Sequence, residues 1–185
     1  MTAPTGGFWN LSNKLTLFRI GAIPVVALLL LFFPEKWPSF IAACIFLLAA
    51  ISDGLDGYLA RRGNMVSNTG KLLDPLADKL LVCTALVMLI PLGRVSAWIV
   101  AVIIGREMVV TTLRGVAGSE GVVIAASRLG KLKALVQLVA TNLLILYYPY
   151  LSLDIHLIGT ILIWVALVLT VWSGVDHIIR YRRMT

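Results

Sequence analysis

Four aspartates, Asp53, Asp56, Asp74 and Asp78, fall within one short stretch of a chain that holds nine acidic residues in 185. Asp53 and Asp56 are spaced i, i+3, and Asp74 and Asp78 i, i+4, so on helices each pair shares one face. Carboxylate oxygens favour hard divalent cations, and two metals bridged by aspartates are a recurrent device for phosphoryl chemistry. Mg2+ is the first expectation, as two ions, with Mn2+ as the alternative. The flanks fit a ligand as well. Gly57, Ala60 and Gly70 withhold side-chain bulk where a backbone or a nucleotide could come close, and Arg61 offers a fork of donors that suits a phosphate.

The elements that must position these residues read as membrane spans. The chain is 59% hydrophobic and 14% charged, with a mean hydropathy of +0.95, whereas soluble proteins are about half apolar and about a quarter charged. Its apolar residues come in runs near the roughly 20 that a helix needs to cross a bilayer. The fold class is therefore all-α and polytopic. Six transmembrane helices are expected at about Leu15–Phe33, Ser39–Arg62, Leu72–Ile90, Ala97–Arg114, Leu132–Tyr148 and Ile155–Arg180, after a short interfacial segment, Thr5–Asn13. These spans and their loops use the whole length, so residues 1–185 read as a single domain. Lys14, Arg61, Arg62, Lys71, Arg114, Arg128, Lys131, Lys133, Arg180, Arg182 and Arg183 fall on one side, against Lys36 and Arg94 on the other. That bias places the basic side and both termini in the cytosol. It also accounts for the formal charge of +7 without a nucleic-acid partner. Cys44 and Cys83 lie inside apolar runs and read as small core residues. The first residues lack the apolar core of a cleaved leader, so the first span is expected to be retained.

Counted back from Arg62 and forward from Leu72, both aspartate pairs sit on the order of 10 Å below the cytosolic interface, at about 1.5 Å per residue. A short connection makes the second and third helices antiparallel neighbours, which gathers the four carboxylates into one anionic cluster. Each ionised carboxylate costs at least ~2.5 kcal/mol at bilayer depth, before their mutual repulsion. The cluster needs a counter-charge. Pairing with Arg61 and Lys79 is the structural alternative, but it accounts for one aspartate rather than four flanked by glycines. Pro75 is expected in the first turn of the third helix, where a missing N–H costs nothing.

From Asp53 to Arg61 the chain reads D-G-L-D-G-Y-L-A-R, and from Gly70 to Asp78 it reads G-K-L-L-D-P-L-A-D. Together these resemble the signature of the CDP-alcohol phosphotransferases, D-x-x-D-G-x-x-A-R…G-x-x-x-D-x-x-x-D, at every fixed position and with the family spacing. The resemblance covers nearly the whole chain. The opening N-L-S-N-K-L-T-L-F-R-I-G-A-I-P and the stretch that begins R-E-M-V-V-T-T-L-R at Arg106 resemble the bacterial members that use sn-glycerol 3-phosphate. Ser12 stands where proline is common, Thr111 where serine is, and Ala134 where threonine is.

The resemblance implies a homodimer of six-helix subunits in the bacterial cytoplasmic (inner) membrane, multi-pass among the membrane lipids, with a binuclear metal site facing the cytoplasm. It implies that CDP-diacylglycerol and sn-glycerol 3-phosphate give phosphatidylglycerol phosphate and CMP. By position, Asp53 would bridge both metals, with Asp56 and Asp74 as further ligands. Asp78 would bind the second metal and act as the base. Asn13, Thr16, Gly57, Arg61 and Ser67 would contact the CDP moiety, with Gly70 leaving room beside it.

The physical chemistry is compatible with that reaction. No Ser, Cys or His is placed as a nucleophile, so direct in-line attack by the acceptor hydroxyl is simpler than a covalent intermediate. An acceptor that carries a phosphate needs a basic site. Arg114, Lys131, Lys133 and Arg128 are the candidates, Arg114 and Lys131 foremost, with plain topology charges as the alternative reading. Arg106 and Glu107 read as a buried structural pair. His156, Asp176 and His177 have no evident ligand company and receive no role. The C-terminal R-Y-R-R reads as a headgroup anchor. Two other functions compete. One is a sister enzyme with a different acceptor, such as inositol phosphate, phosphatidylglycerol or serine; the basic patch argues against serine. The other is a divalent-cation transporter, against which stand the almost wholly apolar outer halves of the second and third spans.

Overall fold

A computed structural model describes residues 11–63, 68–119, 128–150 and 153–182, with side chains over 17–52, 79–119, 129–150 and 153–179. The described residues form six helices: α1 Leu11–Phe32, α2 Lys36–Gly63, α3 Asn68–Leu89, α4 Ala97–Ser119, α5 Arg128–Leu146 and α6 Ile155–Arg182. They contain no strand, and one isolated bridge joins Tyr150 to Leu153. The all-α reading therefore holds, with boundaries that shift by a few residues. α2 begins at Lys36 rather than Ser39 because Pro38 fits inside a first helical turn, whose N–H groups have no intrahelical acceptor. α3 begins at Asn68, so Pro75 is an interior residue and not, as expected, part of the first turn. Its missing N–H leaves the Lys71 carbonyl without its helical donor. Pro24 does the same within α1.

The chain divides into two units, residues 1–88 and residues 89–185. In the first, α1 packs on α2. Ala22, Val26 and Leu30 form a buried stripe at i, i+4 and i+8 of α1, and Ala42, Ala43, Phe46 and Ala49 are buried on α2. The alanines let the two backbones approach closely, as membrane helices favour.

In the second unit, α6 packs against both α5 and α4. Ile99, Val100 and Ile103 of α4, Ala140, Leu144 and Ile145 of α5, and Ile163, Ala166 and Leu167 of α6 form its apolar core. Gly159 permits close contact between α5 and α6: a Cβ there would stand 3.1 Å from Leu144 Cδ2. The polarity of this unit is inverted relative to a soluble bundle. Lys133, Gln137, Thr141, Thr170, Ser173 and His177 are buried, while Leu132, Leu135, Trp164, Val168 and Trp172 are exposed. Water does not select such a surface, whereas hydrocarbon does. Among the described residues, two segments have the length and apolar composition to cross a bilayer, Leu129–Leu146 and Ile155–Ile179, of 18 and 25 residues.

Helix ends in this unit are closed by local chemistry. After α3, Gly93 adopts φ 68°. Arg94 N–H donates to the Leu89 carbonyl at 3.1 Å and Gly93 N–H to that of Ile90 at 2.9 Å, the paired bonds of a Schellman motif. At the start of α6, Asp154 Oδ1 accepts the Leu157 N–H at 3.0 Å, an N-cap. After α5, Tyr147 takes φ 56°, a left-handed conformation costly for a non-glycine residue. Arg94 braces this point. Its Nη1 donates to the Ile145 carbonyl at 2.8 Å, and its guanidinium lies 4.4 Å from the Tyr147 ring centroid and 5.8 Å from that of Tyr148. A cation here also satisfies the negative end of the α5 dipole. Burial pulls the Arg94 guanidinium below its usual pKa, and the two tyrosines oppose that shift.

Candidate active site

The aspartates are carried by two uninterrupted helices. Asp53, Asp56, Gly57 and Arg61 lie on α2, which runs to Gly63, and Gly70, Asp74 and Asp78 lie on α3. Gly70, Asp74 and Asp78 repeat at i, i+4 and i+8, and Asp53, Gly57 and Arg61 do the same on α2, so each series follows one helical face. Asn13 and Thr16 fall at the start of α1. The side chains of all these residues lie outside those described, and Ser67 lies outside the described residues altogether. The expected gathering of four carboxylates thus rests on helix register. As a donor set, four aspartates on two helices fit hard divalent cations, which take carboxylate oxygen in preference to nitrogen or sulfur. Cys44 and Cys83 are not joined in a disulfide.

The basic candidates lie on α4 and α5, and the side chains of all but Arg128 are described. α4 presents Arg106, Val110 and Arg114 at successive i+4 steps, α5 presents Lys133, Gln137 and Thr141 likewise, and α6 presents Thr170, Ser173 and His177 at i, i+3 and i+7. Periodicity of this kind places each series along one stripe of its helix.

Two linked polar groupings result. In the first, Glu107 Oε1 accepts from Arg106 Nη1 at 2.9 Å and also from Lys133 Nζ. Arg106 Nη2 donates to Ser173 Oγ. Two cations thereby converge on one carboxylate in a largely buried setting, where an unpaired charge would be severely destabilising. Gly174 makes room for this: a Cβ there would stand 3.1 Å from Arg106 Cγ. In the second grouping, Arg114 Nη2 lies 2.8 Å from His177 Nε2, and His177 Nδ1 lies 2.7 Å from the Ser173 carbonyl oxygen. Ser173 joins the groupings, meeting Arg106 through its hydroxyl and His177 through its carbonyl.

The four basic candidates consequently differ. Arg114 is exposed, with one contact to a histidine. Lys131 is exposed on α5. Lys133, two residues on and hence on another face, is 4% exposed and engaged with Glu107. Arg128 opens α5, with its side chain outside those described. Arg106 and Glu107 do pair, with Lys133 as a third member. His177, which receives no role from the sequence, has two partners. The sequence signal for it was the polar series Thr170, Ser173 and His177 inside an apolar span, which marks an inward face.

Comparison with known proteins gives concordant results. The family model described as CDP-alcohol phosphatidyltransferase matches residues 9–172. The chain is 40% identical over 181 residues to the CDP-diacylglycerol--glycerol-3-phosphate 3-phosphatidyltransferase of Bacillus subtilis, covering 91% of this chain and 93% of that protein. It is 39% identical over 171 residues to the protein of the same name from Rickettsia typhi, covering 91% and 94%. A probable phosphatidylglycerophosphate synthase of Mycobacterium tuberculosis is 42% identical over 177 residues, covering 94% and 82%.

Proposed function

The chain belongs to the CDP-alcohol phosphatidyltransferase family, and from that premise we propose that it transfers the phosphatidyl group of CDP-diacylglycerol to sn-glycerol 3-phosphate, giving phosphatidylglycerol phosphate and CMP. The observation that carries this reading is the aspartate signature on α2 and α3, in a chain whose relatives named for that reaction align over nine-tenths of its length.

The residues supply a simple reaction. Asp53, Asp56, Asp74 and Asp78 would hold two divalent cations, Mg2+ or Mn2+. Metal bound there would screen the pyrophosphate and stabilise charge on the departing phosphate. Asn13, Thr16, Gly57, Arg61, Ser67 and Gly70 accommodate the CDP moiety. Asp78 takes the proton from the glycerol 1-hydroxyl. The freed oxygen forms a bond to the β-phosphorus of CDP-diacylglycerol, in line with the bond that breaks, and CMP leaves with that bond's electron pair. Arg114 and Lys131 take the acceptor's phosphate, with Arg128 beside them. Lys133 would first have to exchange Glu107 for the ligand.

The same reading places six spans in the cytoplasmic membrane, with both termini and the site on the cytosolic side and two copies forming a dimer. The positive-inside bias and the two long apolar helices support it. The uninterrupted family match across both units supports a single catalytic domain.

The test is CMP release by the purified protein in detergent or lipid, given CDP-diacylglycerol and one alcohol at a time, with and without Mg2+. Turnover with sn-glycerol 3-phosphate alone, dependent on metal, is expected. Turnover with inositol phosphate, phosphatidylglycerol or serine instead would assign a sister activity, and metal flux without CMP would assign a transporter.

A further inference from the structure

We infer that His177 is a positioning residue that aims Arg114 at the acceptor's phosphate by offering it a neutral hydrogen-bond acceptor. This rests on the proposed role of Arg114. The protonation state of His177 follows from its partners. The Ser173 carbonyl can only accept, so the proton sits on Nδ1, 2.7 Å away. A guanidinium can only donate, so Nε2, 2.8 Å from Arg114 Nη2, presents its lone pair. Both contacts are satisfied by one neutral tautomer, fixed through the helix's own backbone at i−4.

The two arginine sites of α4 differ in consequence. Arg106 meets a carboxylate, which offsets its charge as well as orienting it. Arg114 meets an uncharged ring, which orients it and leaves its charge available to an anion. His177 is 3% exposed, whereas Arg114 is exposed. The anchor is therefore sheltered while the guanidinium it holds is accessible, with four of its five donors not directed at His177. A planar fork held at one nitrogen is preorganised for two-point contact with a phosphate. Among the described residues, the other charged groups on these three helices are Arg106 and Glu107 on α4, Lys131 and Lys133 on α5 and Asp176 on α6, and Arg106 and Lys133 are both engaged with Glu107.

The experiment compares His177→Ala, His177→Asn, His177→Gln, Arg114→Ala and the double variant Arg114→Ala/His177→Ala in steady-state kinetics with both substrates. Asn retains a donor for the Ser173 carbonyl, but its acceptor oxygen falls short of the place of Nε2; Gln extends an acceptor toward that place. His177→Ala and His177→Asn are expected to raise KM for sn-glycerol 3-phosphate about tenfold, the worth of one charge-assisted hydrogen bond. KM for CDP-diacylglycerol and kcat at saturating acceptor should stay within roughly twofold, because the lost contact serves acceptor binding alone. His177→Gln should recover most of the loss, and the double variant should match Arg114→Ala. If Arg114→Ala raises the acceptor KM and His177→Ala does not, the positioning role is refuted and the role of Arg114 stands. If Arg114→Ala leaves that KM unchanged, the reading of Arg114 fails and takes this inference with it. Rescue by Asn rather than Gln, or a fall in kcat with a rise in both KM values, would assign His177 to helix packing and overturn the proposal.

Discussion

Arg94 lies three residues before α4 and Arg114 toward the far end of that helix, and the two are used in opposite ways. Arg94 is 4% exposed, with a nitrogen on the Ile145 carbonyl and its plane against Tyr147. It is consumed by the fold. Arg114 is exposed and held at one nitrogen by a neutral ring. It is arranged without being discharged. The same side chain is a brace when its partners come from the backbone and aromatic faces of its own chain, and a ligand-binding group when a contact steers it and leaves donors over. Exposure and partner charge separate the two roles where residue type does not.

That distinction assigns chemistry to neither arginine. Chelating divalent metal is expected to abolish CMP release, and Mg2+ to restore it, with both arginines intact; activity surviving chelation would undo the metal assignment. Next in size, Asp78→Asn should lower kcat about a thousandfold, the middle of the range for a general base, while leaving thermal stability near that of the parent. A loss confined to acceptor KM would instead place Asp78 with Arg114.

Reciprocal variants test the contrast between the two arginines. Arg94→Ala should destabilise the protein by about 2 kcal/mol, from a lost helix cap and a lost cation–π contact, with acceptor KM unchanged. Thermal denaturation in detergent, alongside kinetics, reads both. The smallest effect is expected for Arg114→Lys, which keeps the charge and loses the fork: acceptor KM should rise about fivefold with no change in melting temperature. A stability loss at Arg114 or a KM change at Arg94 would erase the contrast.

Helix content was open to reading because apolar runs in this chain are long, and helix is the form in which a spanning backbone satisfies itself. Ends were less legible. The second span is expected from Ser39, yet α2 begins at Lys36 with Pro38 in its first turn, and Pro75, expected in the first turn of α3, lies further in, since proline is tolerated early in a helix and local sequence does not fix how early. The aspartates announce themselves because their partners are three or four residues away. The basic network does not. Glu107 and Lys133 are 26 residues apart, and Arg114 and His177 are 63 apart. Such pairs are set by which faces of α4, α5 and α6 meet, and a charge on an apolar helix gives no sign of whether its partner is another helix, a headgroup or a substrate. Lys131 and Lys133 look alike in sequence, and two positions of helical rotation separate an exposed amine from a buried one.

Gly174 has no functional group, yet the Arg106 stem passes where its side chain would be. The grouping of Arg106, Glu107 and Lys133 therefore depends on an emptiness. A bulky residue at that position would leave every charged residue in the sequence intact while driving one guanidinium, and the lysine and glutamate tied to it, out of register. Screens for inactive variants that look only at ionisable positions would miss it, and the resulting defect would be one of placement in a chain whose chemistry is unaltered.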